Sequence, residues 1–393
     1  MTAGLAEYTR NLMTKRLILP ALYIVAISAL AVHLYHTPVY AMDVAQYVGN
    51  AILMEQTDPV QVHQRVYAEI DRYVPAAARE TLLGREEGAP EEQNKSREIR
   101  AKDPYTFMEF LPFFAIRPLY NQAIYLLGKT GMGLIPASVL ISAISYVLMG
   151  ILLLVWVSRY LHSQALACLM ALLVMISYPF TLAGRTTGSD GLATVVAFFA
   201  LYLIFETKAL TAGLALLLVS IYIRTDNVVL AGLVIAMCWL QHRVDLPKAA
   251  VLAALALGSA LAINHFAGDY GIKMLYYRNF FGTPIEPAAM VIRLSFHDYL
   301  AAVRKGLMLG GEGFFAPFLL LGVGGVLFSK RIRALLIVTT AYVAGHFMVL
   351  PNWQERWFLI FYLSMCVAAS AVVGALQSRG EISANAVEAT SGA

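Results

Sequence analysis

The chain alternates between long apolar blocks and short polar connections. Blocks of roughly 18 or more nearly uncharged residues have the length of a helix that crosses a hydrocarbon core. The pattern predicts spanning helices at 17–36, 134–157, 163–182, 190–206, 209–223, 227–241, 248–266, 314–329, 334–351 and 357–377, about ten in all. The blocks at 209–223 and 227–241 are short: at about 1.5 Å per residue each falls below about 25 Å, which suits tilted helices or helices that stop short of a full crossing.

Basic residues fall in alternate connections. Arg10, Lys15 and Arg16 precede the first block, Arg159 follows the second, and Lys208 the fourth. His242, Arg243 and Lys248 follow the sixth, Lys330, Arg331 and Arg333 the eighth, and Arg379 the tenth. Positive residues favour the cytoplasmic side, so this alternation places both termini inside, with residues 378–393 as a cytoplasmic tail. The opposite face carries two larger loops, 37–133 and 267–313. In the first, residues 58–82 carry Val66, Ile70, Tyr73 and Val74 at helical spacing and read as an amphipathic helix on the membrane surface. GREEGAPEEQNKSREIRAKD (84–103) is polar and reads as mobile. PYTFMEFLPFFAIRPLYNQAIYLL (104–127) reads as interfacial or re-entrant, because a lipid-facing span does not tolerate Arg117 near its middle. The fold class is therefore an all-α polytopic membrane protein, with residues 1–393 as a single membrane domain.

Composition agrees. The 393 residues are 59% hydrophobic and 14% charged, with mean hydropathy +0.65, whereas about a quarter of a soluble domain is charged. The net charge of +4 does not indicate nucleic acid, since Lys and Arg sit between apolar blocks. Cys168, Cys238 and Cys366 lie inside apolar blocks without CxxC spacing and read as small buried residues rather than a disulfide or metal cluster. The N-terminal run resembles an uncleaved signal anchor.

Ionisable residues collect at the external ends of the blocks. Asp43 follows the first, Arg117 lies in the re-entrant stretch, and Arg185 and Asp190 bracket the turn between the third and fourth. Arg224 and Asp226 sit in IRTDN, and Glu355 and Arg356 in PNWQERW. Charges at this depth are costly unless they face a polar cavity or one another. Each could singly be a solvated loop charge, the reading preferred for Glu355. As a set they point to function, since the cytoplasmic turns show no such Arg–acid pairing in sequence. Tyr40, Tyr47, Trp353 and Trp357 read as interfacial belt residues. Arginine makes bidentate bonds to phosphate, and a carboxylate in a desolvated cleft can act as a general base. Together they suggest a lipid phosphate whose tail lies between helices.

MDVAQYVGNA (42–51) resembles the acidic motif that opens the first extracytoplasmic loop in the GT-C superfamily of membrane glycosyltransferases. GSDGLATVVAFFALYLIFE (188–206) resembles that superfamily's acidic start of the fourth helix. NWQERWFLIFYL (352–363) resembles the Arg-containing segment before a late helix in members related to protein mannosyltransferases and bacterial sugar transferases. The layout, a large first loop with surface helices and short later ones, is also similar. Many members carry paired acids in the first loop, whereas here Asp43 is followed by Val44 and the next acid is Glu55. The resemblance implies inverting transfer of a sugar from a polyprenyl-phosphate-linked donor to a lipid-linked, glycan or protein acceptor, at the external face of a bacterial inner membrane. Asp43 would take the acceptor's proton. Arg224, Arg356, and Arg185 or Arg117 would hold the phosphate, with Asp190 and Asp226 orienting sugar hydroxyls or the arginines. No cofactor is implied, and no divalent-metal motif supports one.

Other candidates carry less. His265 and the HDY at 297–299 have no HExxH, no second histidine at ligand spacing and no GxSxG partner. GGEGFF (310–315) lacks the Lys and Ser/Thr of a phosphate loop and reads as a tightly packed helix start. A flippase, a polysaccharide polymerase or ligase, and a non-catalytic subunit of the same fold remain open alternatives on sequence alone.

Overall fold

A computed structural model describes residues 2–40, 43–207, 209–282, 284, 286–310, 330–351 and 354–391. The described residues are helical, with one isolated parallel bridge, Val39 to Thr186, and no strands. The long helix α1 is Thr2–His36, and its apolar part is Ile18–His36. Five short helices and one of 15 residues then build the first loop: α2 (Val44–Ile52), α3 (Pro59–Tyr73), α4 (Ala76–Leu82), α5 (Glu91–Lys102), α6 (Pro104–Phe110) and α7 (Pro112–Ala115). They are followed by α8 (Pro118–Gly128), α9 (Leu134–Val157), α10 (Gln164–Met175), α11 (Tyr178–Arg185), α12 (Asp190–Phe205), α13 (Leu210–Ile223), α14 (Asn227–Leu240) and α15 (Leu246–Phe266). The second loop holds α16 (Gly271–Phe280) and α17 (Phe296–Gly310), and the chain continues with α18 (Lys330–Val349) and α19 (Leu359–Ser391).

Among the described residues, five helices are long and apolar enough to cross a membrane: the C-terminal part of α1, α9, α15, and the apolar parts of α18 and α19. A sixth crossing results if α10 and α11, bent by 64° at a short break, are one broken span. Pro179 sits in the first turn of α11, where its missing N–H costs nothing but continuation of α10 would clash. Helices α12, α13 and α14 are apolar but only 16, 14 and 14 residues long. The segments expected at 190–206, 209–223 and 227–241 are thus helices too short to pass the same length criterion, and the expected span at 314–329 lies outside the described residues, as does most of GGEGFF.

A large apolar core joins α1, α9 through α15, α18 and α19, with Trp156, Tyr146, Phe198, Phe358 and Phe361 fully buried. Two smaller cores lie in the first loop. One sets Val62, Val66 and Ile70 of α3 against Val44, Val48 and Ile52 of α2 and Phe107 of α6. The other sets Phe110, Phe113, Phe114 and Tyr120 against α9 and α12.

Two loop expectations are corrected here. The segment 58–82 is two helices, broken after Tyr73 at Val74 and Pro75, and the apolar face of α3 is covered by α2 and α6 rather than lipid. Asp58 caps α3 by accepting the Gln61 N–H at 2.9 Å, with Pro59 at the first position. The segment 84–103 contains a regular helix, α5, over Glu91–Lys102, reached through turns at 84–90. Glu91 and Glu92 in its first turn and Arg100 and Lys102 in its last complement the helix dipole, and its buried side chains are Ser96, Arg97 and Arg100. The re-entrant reading of 104–127 resolves into α6, α7 and α8, each opened by a proline.

The exit of α1 is tied to the start of α12. The Val39 N–H donates to the Arg185 carbonyl at 2.9 Å, and the Ser142 hydroxyl donates to the Thr186 carbonyl at 2.7 Å. Asp43 and Asp190 both follow this junction within a few residues.

Candidate functional site

The fourth helix of the sequence reading opens on Asp190, the first residue of α12, where the helix dipole favours a carboxylate. Arg224 ends α13 in an extended conformation and Asp226 precedes α14. Two residues apart across this turn, Arg224 forks onto Asp226, with Nε to Oδ1 at 2.9 Å and Nη2 to Oδ2 at 2.7 Å. Its Nη1 donates to Asp190. The second oxygen of Asp190 lies 3.6 Å from Nε of Arg356, which also donates to Gln354 at 3.1 Å. His346, 4% exposed near the end of α18, meets Asp226 through Nε2 at 3.2 Å. The Trp357 ring lies 5.8 Å from the Arg224 guanidinium. Burial pushes the Asp226 carboxyl up, but Arg224 and His346 outweigh it and hold it well below the usual carboxylate range. The cluster of Arg224, Arg356, Asp190 and Asp226 is closed on itself and formally neutral.

A second group faces the same space. Asp43 precedes α2, but its side chain caps no N–H there. Arg278 of α16 reaches it at 3.3 Å. Three guanidinium groups lie against aromatic faces: Arg278 at 5.0 and 4.9 Å from Phe113 and Phe114, Arg117 at 5.5 and 5.4 Å from Tyr47 and Phe114, and Arg100 at 4.2 Å from Phe110. Arg117 donates to the Phe113 carbonyl at 3.3 Å, and Arg100 to the Ser96 carbonyl at 3.1 Å. Burial, then the nearby Arg278, push the Arg100 guanidinium below its usual range. Arg97 pairs with Glu86 at 2.6 Å, and its buried Nε has no hydrogen-bond partner among the described residues.

Six of the seven residues singled out in the sequence, Asp43, Arg117, Asp190, Arg224, Asp226 and Arg356, line one cavity of about 460 Å³. Arg185 does not. It ends α11, and its Nε is buried without a hydrogen-bond partner among the described residues. The cavity also takes in Arg97, Arg100, Arg278 and His346, which the sequence reading passed over. Their signals were weak. Arg97 and Arg100 stand one or two residues from other charges in a segment that reads as solvated, Arg278 lies in an aromatic loop, and His346 interrupts an apolar run.

Two other sequence expectations change. Tyr47 is 3% exposed, edge-on to Phe114 and Tyr120, and is no belt residue; Trp357 lines the cavity. On the opposite connections an Arg–acid pair does form, Arg159 to Glu206 at 3.7 Å, with Tyr160 donating to the same carboxylate at 2.6 Å. Their separation in sequence hid it.

The cavity can hold a polar, anionic ligand: guanidinium donors for phosphate oxygens, carboxylates for hydroxyl protons and an indole face for a sugar ring. Among the described residues no three His, Cys, Asp or Glu side chains are grouped as a metal site would need. A second cavity of about 390 Å³ lies between α2, α3 and α8, where Glu55 pairs with Arg65 at 2.6 Å and with Lys129. Set against family models, curated proteins and solved structures, the chain matches none.

Proposed function

We propose that this protein is an inverting membrane glycosyltransferase of the GT-C type, taking its sugar from a polyprenyl-phosphate carrier at the extracytoplasmic face. The observation that carries the reading is convergence. Side chains separated by more than 300 positions, from Asp43 to Arg356, meet in one cavity that joins a carboxylate to an excess of guanidinium groups.

The chemistry follows from that pairing. An acceptor hydroxyl beside Asp43 gives up its proton to the carboxylate as its oxygen bonds to the anomeric carbon. The bond from that carbon to the phosphate oxygen breaks, and the electron pair leaves with the phosphate. No strong acid is needed because the departing group is already a stable anion. The guanidinium groups meet the charge that grows on it. Attack opposite the leaving group inverts the anomeric carbon. Arg278, at 3.3 Å from Asp43, holds the carboxylate in place at the cavity wall before the proton arrives.

The test is transfer from a radiolabelled polyprenyl-phosphate sugar in membranes containing the protein. Asp43→Asn is expected to lower the rate by about 100-fold or more, the range for a lost general base. A near-normal rate in Asp43→Asn removes that residue from the mechanism, and absence of any transfer by the unaltered protein with a panel of such donors removes the reading itself.

A further inference from the structure

Helix α17, Phe296–Gly310, has three faces by helical spacing. Tyr299, Ala302 and Gly306 share one, Ala301, Arg304 and Lys305 a second, and Phe296, Leu300, Val303 and Leu307 a third.

The first face is packed. Ala302 and Gly306 are buried. The Tyr299 hydroxyl donates to the Met348 carbonyl at 2.8 Å, and Gly306 lies so close to the Pro351 carbonyl that a Cβ has no room. These contacts hold α17 against the end of α18, beside His346 and Leu350 of the cavity wall. The second face is polar. Arg304 and Lys305 are exposed, as is Arg293 just before the helix. Between positions 291 and 308 these three basic residues stand against one acid, Asp298, whose Oδ2 accepts the Ser295 N–H at 2.8 Å and the Ser295 hydroxyl at 2.7 Å. The third face is apolar and open. Phe296 is 74% exposed, Leu300 48% and Leu307 56%. Met348, which Tyr299 touches, and Val349 are exposed as well, where the apolar stretch of α18 ends.

We propose that α17 lies along the membrane surface on the cavity side, with Phe296, Leu300 and Leu307 sunk into the acyl boundary and Arg293, Arg304 and Lys305 among anionic phospholipid headgroups. Three features commit the open face to lipid. The apolar stretch Ile332–Val349 is long enough to cross a bilayer, so a helix fastened at its end lies at headgroup depth. Fifteen residues reach only about 22 Å, and Asp298, Arg304 and Lys305 within them forbid a crossing, so α17 lies flat. An apolar stripe beside Lys and Arg is the pattern of an interfacial helix, and the excess of basic residues suits anionic rather than zwitterionic headgroups.

The seating bears on the cavity. The Tyr276 hydroxyl of α16 donates to the Tyr299 carbonyl at 3.2 Å, and Arg278, two residues on, reaches Asp43. Lipid under α17 therefore supports the helix that carries Arg278. This seating requires no sugar and no transfer, so it stands or falls independently of the glycosyltransferase reading.

The experiment uses the full-length protein, with Cys168, Cys238 and Cys366 replaced, in nanodiscs of phosphatidylcholine with and without phosphatidylglycerol. A bimane fluorophore is attached in turn at Leu300→Cys, Leu307→Cys and Ala301→Cys. Lipids with a nitroxide high on the acyl chain are expected to quench the first two, and aqueous iodide the third. Omitting phosphatidylglycerol, or combining Arg293→Gln with Arg304→Gln, is expected to lower nitroxide quenching and raise iodide quenching at position 300, each lost charge weakening the seating about fivefold. Labelling two positions of one stripe separately keeps the test alive if one variant fails to fold. Equal iodide quenching at all three positions overturns the proposal. Shielding of 300 and 307 from both quenchers also overturns it, since a protein surface, such as a second copy, then covers the stripe. Nitroxide quenching indifferent to phosphatidylglycerol and to the charge variants overturns the assignment to anionic lipid.

Discussion

At the scale of single residues, Arg224 and Arg278 are a controlled contrast. Both are arginines paired with aspartates in one cavity, yet the Arg224 side chain is 10% exposed and holds two carboxylates, whereas Arg278 is 22% exposed and holds one. Removing one partner of a buried pair strands the other's charge, at about 3–5 kcal/mol, while a partly exposed pair is worth about 1 kcal/mol or less. Arg224→Gln is therefore expected to lower the melting temperature of the detergent-solubilised protein far more than Arg278→Gln, with differential scanning fluorimetry as the readout. Equal shifts would show that the Arg224 cluster is solvated. Much of this set could be read from the chain itself. Asp43, Asp190, Arg224, Asp226 and Arg356 stand out because each interrupts or borders an apolar block, where a charge is expensive. Arg100 and Arg278 do not stand out, because a charge among other charges or in a loop costs nothing visible in sequence. Only the fold shows that their neighbours turn to water while they turn inward.

At the scale of elements, α5 is the one that pattern reading had no means to find. Its buried stripe is Ser96, Arg97 and Arg100, so its inner face is polar and the hydrophobic period is absent. What places it is the turn before it. Gly84 has φ +83, and a Cβ there would lie 2.2 Å from the Asn94 carbonyl oxygen. Gly84→Ala thus combines a left-handed backbone with a clash against α5 itself, a penalty of about 1–3 kcal/mol. The expected result is a lower melting temperature together with faster proteolysis within 84–103, measured by limited trypsin digestion. Unchanged digestion would mean that the turn does not hold the helix. By contrast α9 was legible to the residue, Leu134–Val157, because a long uncharged run leaves a helix in lipid no alternative. The bend between α10 and α11 was not, since their combined apolar run reads as one span and only Pro179 hints at the break.

At the scale of the whole molecule, the exposed surface is what marks lipid as solvent. On α15 only 17% of the apolar window is buried, and Val251, Leu255, Leu257 and Leu261 are each more than half exposed. Such a face in water would be an aggregation site. The sidedness read from basic residues has a direct check. With Cys168, Cys238 and Cys366 replaced, a cysteine introduced at Glu87 is expected to react with an impermeant maleimide in intact cells. One at Gln241 is expected to react only after permeabilisation. Labelling of both from outside would overturn the alternation. Hydropathy made the membrane class plain, yet it could not separate full crossings from the 14-residue helices α13 and α14, because both are equally apolar and differ only in how far they reach.

The tie between Val39 and Arg185 has a mechanical consequence. A main-chain hydrogen bond at 2.9 Å ties the segment leaving α1 to the stretch entering α12, shortly before Asp43 on one side and Asp190 on the other. The opposite rim is α16, which reaches Asp43 through the side chain of Arg278 and is entered through the left-handed residues Gly268 and Asp269, with Gly271 left-handed at its first position. A bulkier guest is therefore expected to displace α16 ahead of the tied segments that carry Asp43 and Asp190.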